Sequence, residues 1–187
     1  FVYGTVRKYN WEKINAISGA SIQVSDSRLK DLAGALPKGK IGKTEITRLF
    51  IGGNLIGGWA HSRDLLYVST LFKAYNTEKK VFETLQLAEQ AGINTINIHH
   101  SQFPLLNKYK RIFGSTIQTV CQIHPTKEDI YSQVDTVIDN GVDVIQIQGN
   151  CTDWRVRDGE IDVLAKCVEY GQKQGYTTGL GAHRSEE

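Results

Sequence analysis

Apolar positions along most of this chain alternate between two rhythms, and a glycine marks nearly every change from one to the other. Helical spacing appears over residues 78–91, where Val81, Phe82, Leu85, Ala88 and Ala91 share a face. Asn76 or Thr77 can cap its start, and Gly92 stops it. Residues 92–98 then form a short apolar run, read as a buried strand, that ends at His99 and His100. The phrase repeats downstream. A helix over 105–113 is ended by Gly114, and a strand over 116–125 carries His124 at its carboxyl end. Thr126 and Asp129 have capping-box-like spacing and open a helix with Ile130, Val134, Val137 and Ile138 on one face and Gly141 as its stop. A strand over 142–150 is followed by a charged loop over 151–159, then by a helix over 160–174 with Ile161, Leu164, Ala165 and Val168 inward. Gly175 stops that helix, and the last strand covers 177–183.

Upstream, residues 38–47 have the glycine punctuation of a hairpin, and 48–54 read as a strand ending in Gly52, Gly53 and Asn54. Residues 55–75 then form a long connection of the kind that serves as a lid or binding loop. The first 36 residues are the least patterned. Short helices over 11–17 and 27–35 and a strand over 20–24 are expected there, as an N-terminal packing extension.

Strands alternating with glycine-stopped helices predict a parallel α/β sheet. Gly52-Gly53 and Gly57-Gly58 miss the G-x-G-x-x-G phosphate turn of a doubly wound sheet, so the expected architecture over residues 37–187 is a (β/α)8 TIM barrel. Five strands fall short of eight, so this region is expected to be a partial barrel: the opening hairpin and about the first five βα units. Ser185-Glu186-Glu187 reads as the cap and first turn of the next helix. A complete five-stranded open sheet is the alternative.

Composition narrows the function classes. A formal charge of +2 over 187 residues gives no basic footprint for nucleic acid. No apolar run is long enough for a membrane span. Cys121, Cys151 and Cys167 lack C-x-x-C spacing and read as reduced thiols that pack the core, which suits a cytoplasmic protein. The chain opens on Phe1 and contains no Met, so either a processed or cut segment or a start inside the gene is expected.

Gly42-Lys-Thr-Glu-Ile-Thr-Arg-Leu-Phe-Ile-Gly-Gly-Asn-Leu-Ile-Gly-Gly58 resembles the opening hairpin and first strand of the aldo-keto reductases, and Ala88-Glu-Gln-Ala-Gly-Ile-Asn-Thr-Ile-Asn97 resembles their following helix and strand. The likeness is nearer still to a branch of such barrels that shares Asn54-Leu-Ile-Gly-Gly-Trp-Ala-His-Ser-Arg-Asp-Leu65 and Gly181-Ala-His183. It implies an eight-stranded barrel. It also implies hydride chemistry that needs Asp at position 97, Tyr at 102, a Lys ending the third strand and a His ending the fourth. This chain has Asn97, Gln102, no Lys in the third strand, and Gln148. The reductase tetrad is therefore lacking, and NAD(P) ranks low among candidate cofactors. If Asn97 points inward as in those relatives, alternation turns His99 inward and His100 toward the helices.

Barrel enzymes place their chemistry at the carboxyl ends of the strands. There the pattern gathers His99, His124 and His183 as the candidate catalytic residues. Three imidazoles on one mouth can act as acid, base and orienting group, or ligate a divalent metal, the candidate cofactor. No metal ligand set is assigned. Asn54, Gln148 and Asn150 suit recognition of hydroxyls, because amides both donate and accept. Trp59, His61 and Arg63 suit a lid with an aromatic platform and a clamp. The expected function is an enzyme acting on a small polyhydroxylated or carbonyl substrate by histidine acid/base chemistry, with isomerase, epimerase, lyase and hydrolase open. A nicotinamide-dependent reductase with a rearranged site and an inactive barrel used for binding are the alternatives. Oligomeric state is not legible.

Overall fold

The structure, a computed structural model, describes residues 35–59 and 65–183. The chain divides into two units, Phe1–Ala35 and Leu36–Glu187, and the elements that follow belong to the second. The expected elements before residue 35, the cap at Ser185, and His61 and Arg63 lie outside the described residues.

A hairpin of β1 (Lys38–Ile41) and β2 (Thr44–Thr47) precedes a five-stranded parallel sheet of β3 (Ile51–Gly52), β4 (Thr95–His99), β5 (Gln118–Ile123), β6 (Val144–Ile147) and β7 (Thr177–Leu180). The spatial order equals the sequence order, with no reversal. Among the described residues seven helices accompany them: α1 (Asn54–Gly57), α2 (Tyr67–Tyr75), α3 (Glu78–Gln90), α4 (Phe103–Phe113), α5 (Ser132–Asp139), α6 (Gly149–Arg157) and α7 (Ile161–Lys173). A single turn of 3-10 helix, His100–Gln102, leads into α4.

Alternation along the strands gives the sheet two unlike faces. Ile96, Ile98, Cys121, Ile123, Ile145 and Ile147 are buried on one face with Leu85, Leu106, Tyr109, Val134, Val137 and Leu164 from the helices. The other face carries Asn97, His99, Gln122 and Gln146; His99, Gln122 and Gln146 lie beside one another in the register, and Asn97, paired with Val120, sits two residues earlier on β4. The expected glycine stops hold: Gly92 and Gly141 have φ of +86° and +79°, which an L side chain adopts only with strain.

Several expectations need correction. The stretch 55–75 is not one open loop, because α1 and α2 occupy its two ends. Neither has a side-chain cap to mark its start, and among the apolar residues of α2 only Val68 and Phe72 are half-buried. The charged loop expected at 151–159 is α6, started by the Gln148 side chain, whose Oε1 accepts the Cys151 N–H at 3.1 Å. The Thr126–Asp129 interaction forms, with Asp129 N donating to Thr126 Oγ1 at 3.1 Å, but it closes a turn. The helix starts at Ser132, whose N–H donates to Asp129 Oδ1 at 3.0 Å. In α7 Leu164 is buried and Val168 packs half-buried against the core as expected, but Val163, Cys167 and Gly171 are the other inward residues, and Ile161 and Ala165 are exposed. Gly171 sets that rotation, since a Cβ there would lie 2.2 Å from Thr178 Oγ1.

The hairpin is tied to the amino-terminal ends of the strands. Asn94 Oδ1 accepts from Thr47 N (2.8 Å), Thr47 Oγ1 (3.1 Å) and Thr95 Oγ1 (2.8 Å), while Asn94 Nδ2 donates to Glu45 O (3.1 Å). Thr47 is fully buried, so its own polar groups have no water to fall back on. Asn94→Ala is expected to cost about 1–2 kcal/mol. Thermal denaturation would read this as a fall of roughly 3–6 °C.

Candidate active site at the carboxyl ends of the strands

A cavity of about 630 Å³ opens where the strands end, within the range of small-molecule sites. His99, His124, His183, Asn54, Trp59, Gln148 and Asn150 all line it. Six of these seven lie at or just beyond strand ends; Trp59 follows α1. Among the described residues no three His, Cys, Asp or Glu side chains are grouped so as to hold a metal ion, so His99, His124 and His183 share a cavity without forming a ligand set.

His99 is fixed by the turn that follows β4. Its Nδ1 accepts the Ser101 N–H at 3.2 Å and lies 2.9 Å from Ser101 Oγ, while Gln102 Oε1 accepts the His99 N–H at 3.0 Å. A nitrogen that accepts from a backbone N–H carries no proton, so the neutral ring holds its proton on Nε2. The His99 ring lies 3.9 Å from that of His100 and 5.4 Å from that of His124, with Trp59 edge-on at 5.0 Å. Burial, then the neighbouring His100 and His124, push the His99 pKa down to about 4. Burial lowers His100 and His124 as well. His100, expected to turn toward the helices, leaves the strand for the 3-10 turn, and its ring lies tilted against that of His99. His124 is held through its backbone by Gln133, which accepts its N–H at 2.8 Å and donates to its carbonyl at 3.2 Å.

His183 is organised in the opposite sense. Asp153 of α6 takes its backbone N–H on Oδ1 at 3.1 Å and its ring Nδ1 on Oδ2 at 2.8 Å. A carboxylate only accepts, so Nδ1 carries a proton, and in the neutral ring Nε2 presents a lone pair. The ring rests against Gly149, where an added Cβ would stand 2.8 Å from His183 Cε1. Asp153 was not expected at the site, because it belongs to the helix read as a loop.

Below the histidines, three amides join across the polar face. Gln122 Nε2 donates to Asn97 Oδ1 at 3.0 Å, and Asn97 Nδ2 donates to Gln146 Oε1 at 3.0 Å. The side chains of β4 and β6 thus meet over β5, which requires a concave face, since strands two apart in a sheet are separated by about 9–10 Å. None of the three was singled out from sequence as a binding residue, although the two-residue period of β4, β5 and β6 puts them on one face. Asn97 and Gln102 stand where the resemblance would require Asp and Tyr. Asn97 is engaged in the amide chain, and Gln102 is buried beneath Gly53, donating to its carbonyl at 2.7 Å.

Gln148 and Trp59 have local partners too. Gln148 spends its oxygen on the cap of α6, and Trp59 packs over Gly57. The three cysteines are buried, and burial raises the thiol pKa of each, to about 12 for Cys121 and Cys167, as expected of packing groups. No helix among the described residues is long and apolar enough to cross a membrane. No protein family, curated protein or solved structure matches the chain.

Proposed function

We propose that this chain supplies the first five strands of an eight-stranded barrel akin to the aldo-keto reductases, and that its cavity moves a proton beside a carbonyl in a small polyhydroxylated substrate. The sequential order of five parallel strands and the concave amide face support the barrel reading. The observation that carries the chemistry is the pair of opposite tautomers on one cavity: a proton on His99 Nε2 and a lone pair on His183 Nε2.

In this reading His183 Nε2 takes the proton from the carbon next to the carbonyl, and Asp153 stabilises the imidazolium that forms. The carbonyl oxygen gains charge as the enolate develops, and the His99 Nε2–H donates to it. A neutral imidazole is the suitable donor, since its proton is shared without being lost. Isomerisation follows when the proton returns to the former carbonyl carbon while the proton of the adjacent hydroxyl passes to the enolate oxygen, so that the adjacent carbon becomes the new carbonyl; return of the proton to the original carbon on its opposite face gives epimerisation. The amides hold the hydroxyls that flank the reacting carbons.

Deuterium uptake from D2O into α-hydroxy aldehydes and ketones, followed by proton NMR, tests this. The wild-type chain is expected to exchange the C–H beside the carbonyl, His183→Ala to lose at least about 100-fold of that rate, and His99→Gln to lose about 10- to 100-fold. Exchange in the wild type that survives both substitutions would refute the assignment.

A further inference from the structure

The same cavity carries information about the charge of its substrate, and the inference rests on the reading just given. The amide chain has a direction. Gln122 gives a proton to Asn97, and Asn97 gives one to Gln146. Gln122 is left with its Oε1, an acceptor, and Gln146 with its Nε2, a donor; no hydrogen bond within the protein uses either atom among the described residues. In the strand register Gln122 sits beside His99, whose Nε2–H donates. Gln146 sits beside Gly179 of β7, with its Nε2 only 2.9 Å from where a Gly181 Cβ would stand, two residues before His183, whose Nε2 accepts.

Each side of the cavity therefore offers one donor and one acceptor: His99 with Gln122, and Gln146 with His183. A hydroxyl group satisfies such a pair, because its oxygen accepts while its hydrogen donates. A phosphate or carboxylate oxygen can only accept, and would press its charge against the lone pairs of Gln122 Oε1 and His183 Nε2. Among the described residues no Lys, Arg, Asp or Glu lines the cavity. We infer that the site selects an uncharged polyol-type substrate, a small aldose or ketose with hydroxyls on both sides of the reacting carbons, and discriminates against the corresponding phosphate esters and sugar acids.

Calorimetric titration of the chain with a free four- to six-carbon ketose and aldose series, the matching phosphate esters and the matching aldonic acids tests the inference without requiring turnover. A free sugar is expected to bind at least about 10-fold more tightly than its charged counterparts. Gln122→Met and Gln146→Leu, which each remove one polar partner, are expected to weaken the free sugar about 10-fold. Circular dichroism confirms that each variant is folded. Tighter binding of a phosphate ester or acid, binding of no free sugar, or free-sugar affinity unchanged in both folded variants would overturn it. Binding and exchange fail separately. Free sugars that bind without deuterium uptake would sink the proton-transfer reading and leave this one standing, and uptake into phosphate esters alone would do the reverse.

Discussion

Asp153→Asn is expected to lower proton-transfer turnover by about 10³- to 10⁴-fold while leaving the fold and its stability nearly unchanged. The reasoning starts from the backbone. The His183 N–H can only donate, and it uses Asp153 Oδ1 at 3.1 Å. In the variant the amide oxygen must take that place, which aims the amide nitrogen at His183 Nδ1. An N–H facing Nδ1 makes that ring nitrogen an acceptor and drives the imidazole proton to Nε2, so the base is lost although every heavy atom stays where it was. Nitrogen-15 shifts of the His183 ring read the tautomer directly and need no substrate. Wild type should show protonated Nδ1, and the variant protonated Nε2. A variant that keeps both the wild-type tautomer and the wild-type rate would remove Asp153 from its positioning role.

How far the sequence spoke depended on how each element earns its stability. Helices α3, α4 and α5 are held by an apolar stripe and ended by glycine, so Val81, Phe82, Leu85, Val134 and Val137 were legible as core. Helix α6 has little such stripe. Cys151 and Thr152 are its buried residues, and its start depends on one glutamine side chain, so it looked like a loop and hid Asp153. Helix α7 was found but rotated, because the residue that sets its rotation is Gly171, invisible to a hydrophobic pattern. At the site, His99, His124 and His183 were readable from their place after strands, and all three reached one cavity. Their partners were not, because Ser101, Gln133 and Asp153 act through hydrogen bonds with no sequence period.

The amide face is the local rule that this sheet breaks. Parallel strands in α/β proteins are usually apolar on both faces, yet Asn97, Gln122 and Gln146 occupy adjacent strands. An unpaired amide there would cost about 1–3 kcal/mol. Mutual hydrogen bonding offsets that cost and leaves the polar atoms at the two ends of the chain for a ligand. Such a departure from the pattern that favours folding is where function is expected to sit.

Acid is expected to loosen the histidine cluster in a defined window. The His99 pKa lies near 4 in the folded protein, against about 6.5 for an unperturbed imidazole. The folded ring resists the proton that the unfolded chain accepts, so the unfolded state binds more protons between these values. Stability from this ring is therefore fully present above about pH 6.5, falls as the pH drops, and is gone below about pH 4. A depression of that size corresponds to about 3 kcal/mol, which the water reaching a partly exposed ring reduces to roughly 2 kcal/mol. His100 and His124, also depressed by burial, add to the loss in the same direction. Carboxylates titrate in the lower part of this window, so the decisive quantity is a difference between proteins. His99→Gln removes the ring and its repulsion with both neighbours, while the lost cap on the 3-10 turn lowers stability equally at every pH. Urea unfolding at pH 7, 5.5 and 4.5 should show the wild type losing about 2 kcal/mol more than the variant across the range. Parallel curves would mean that His99 takes up its proton equally in the folded and unfolded chain and enters the reaction as an ordinary, protonatable base.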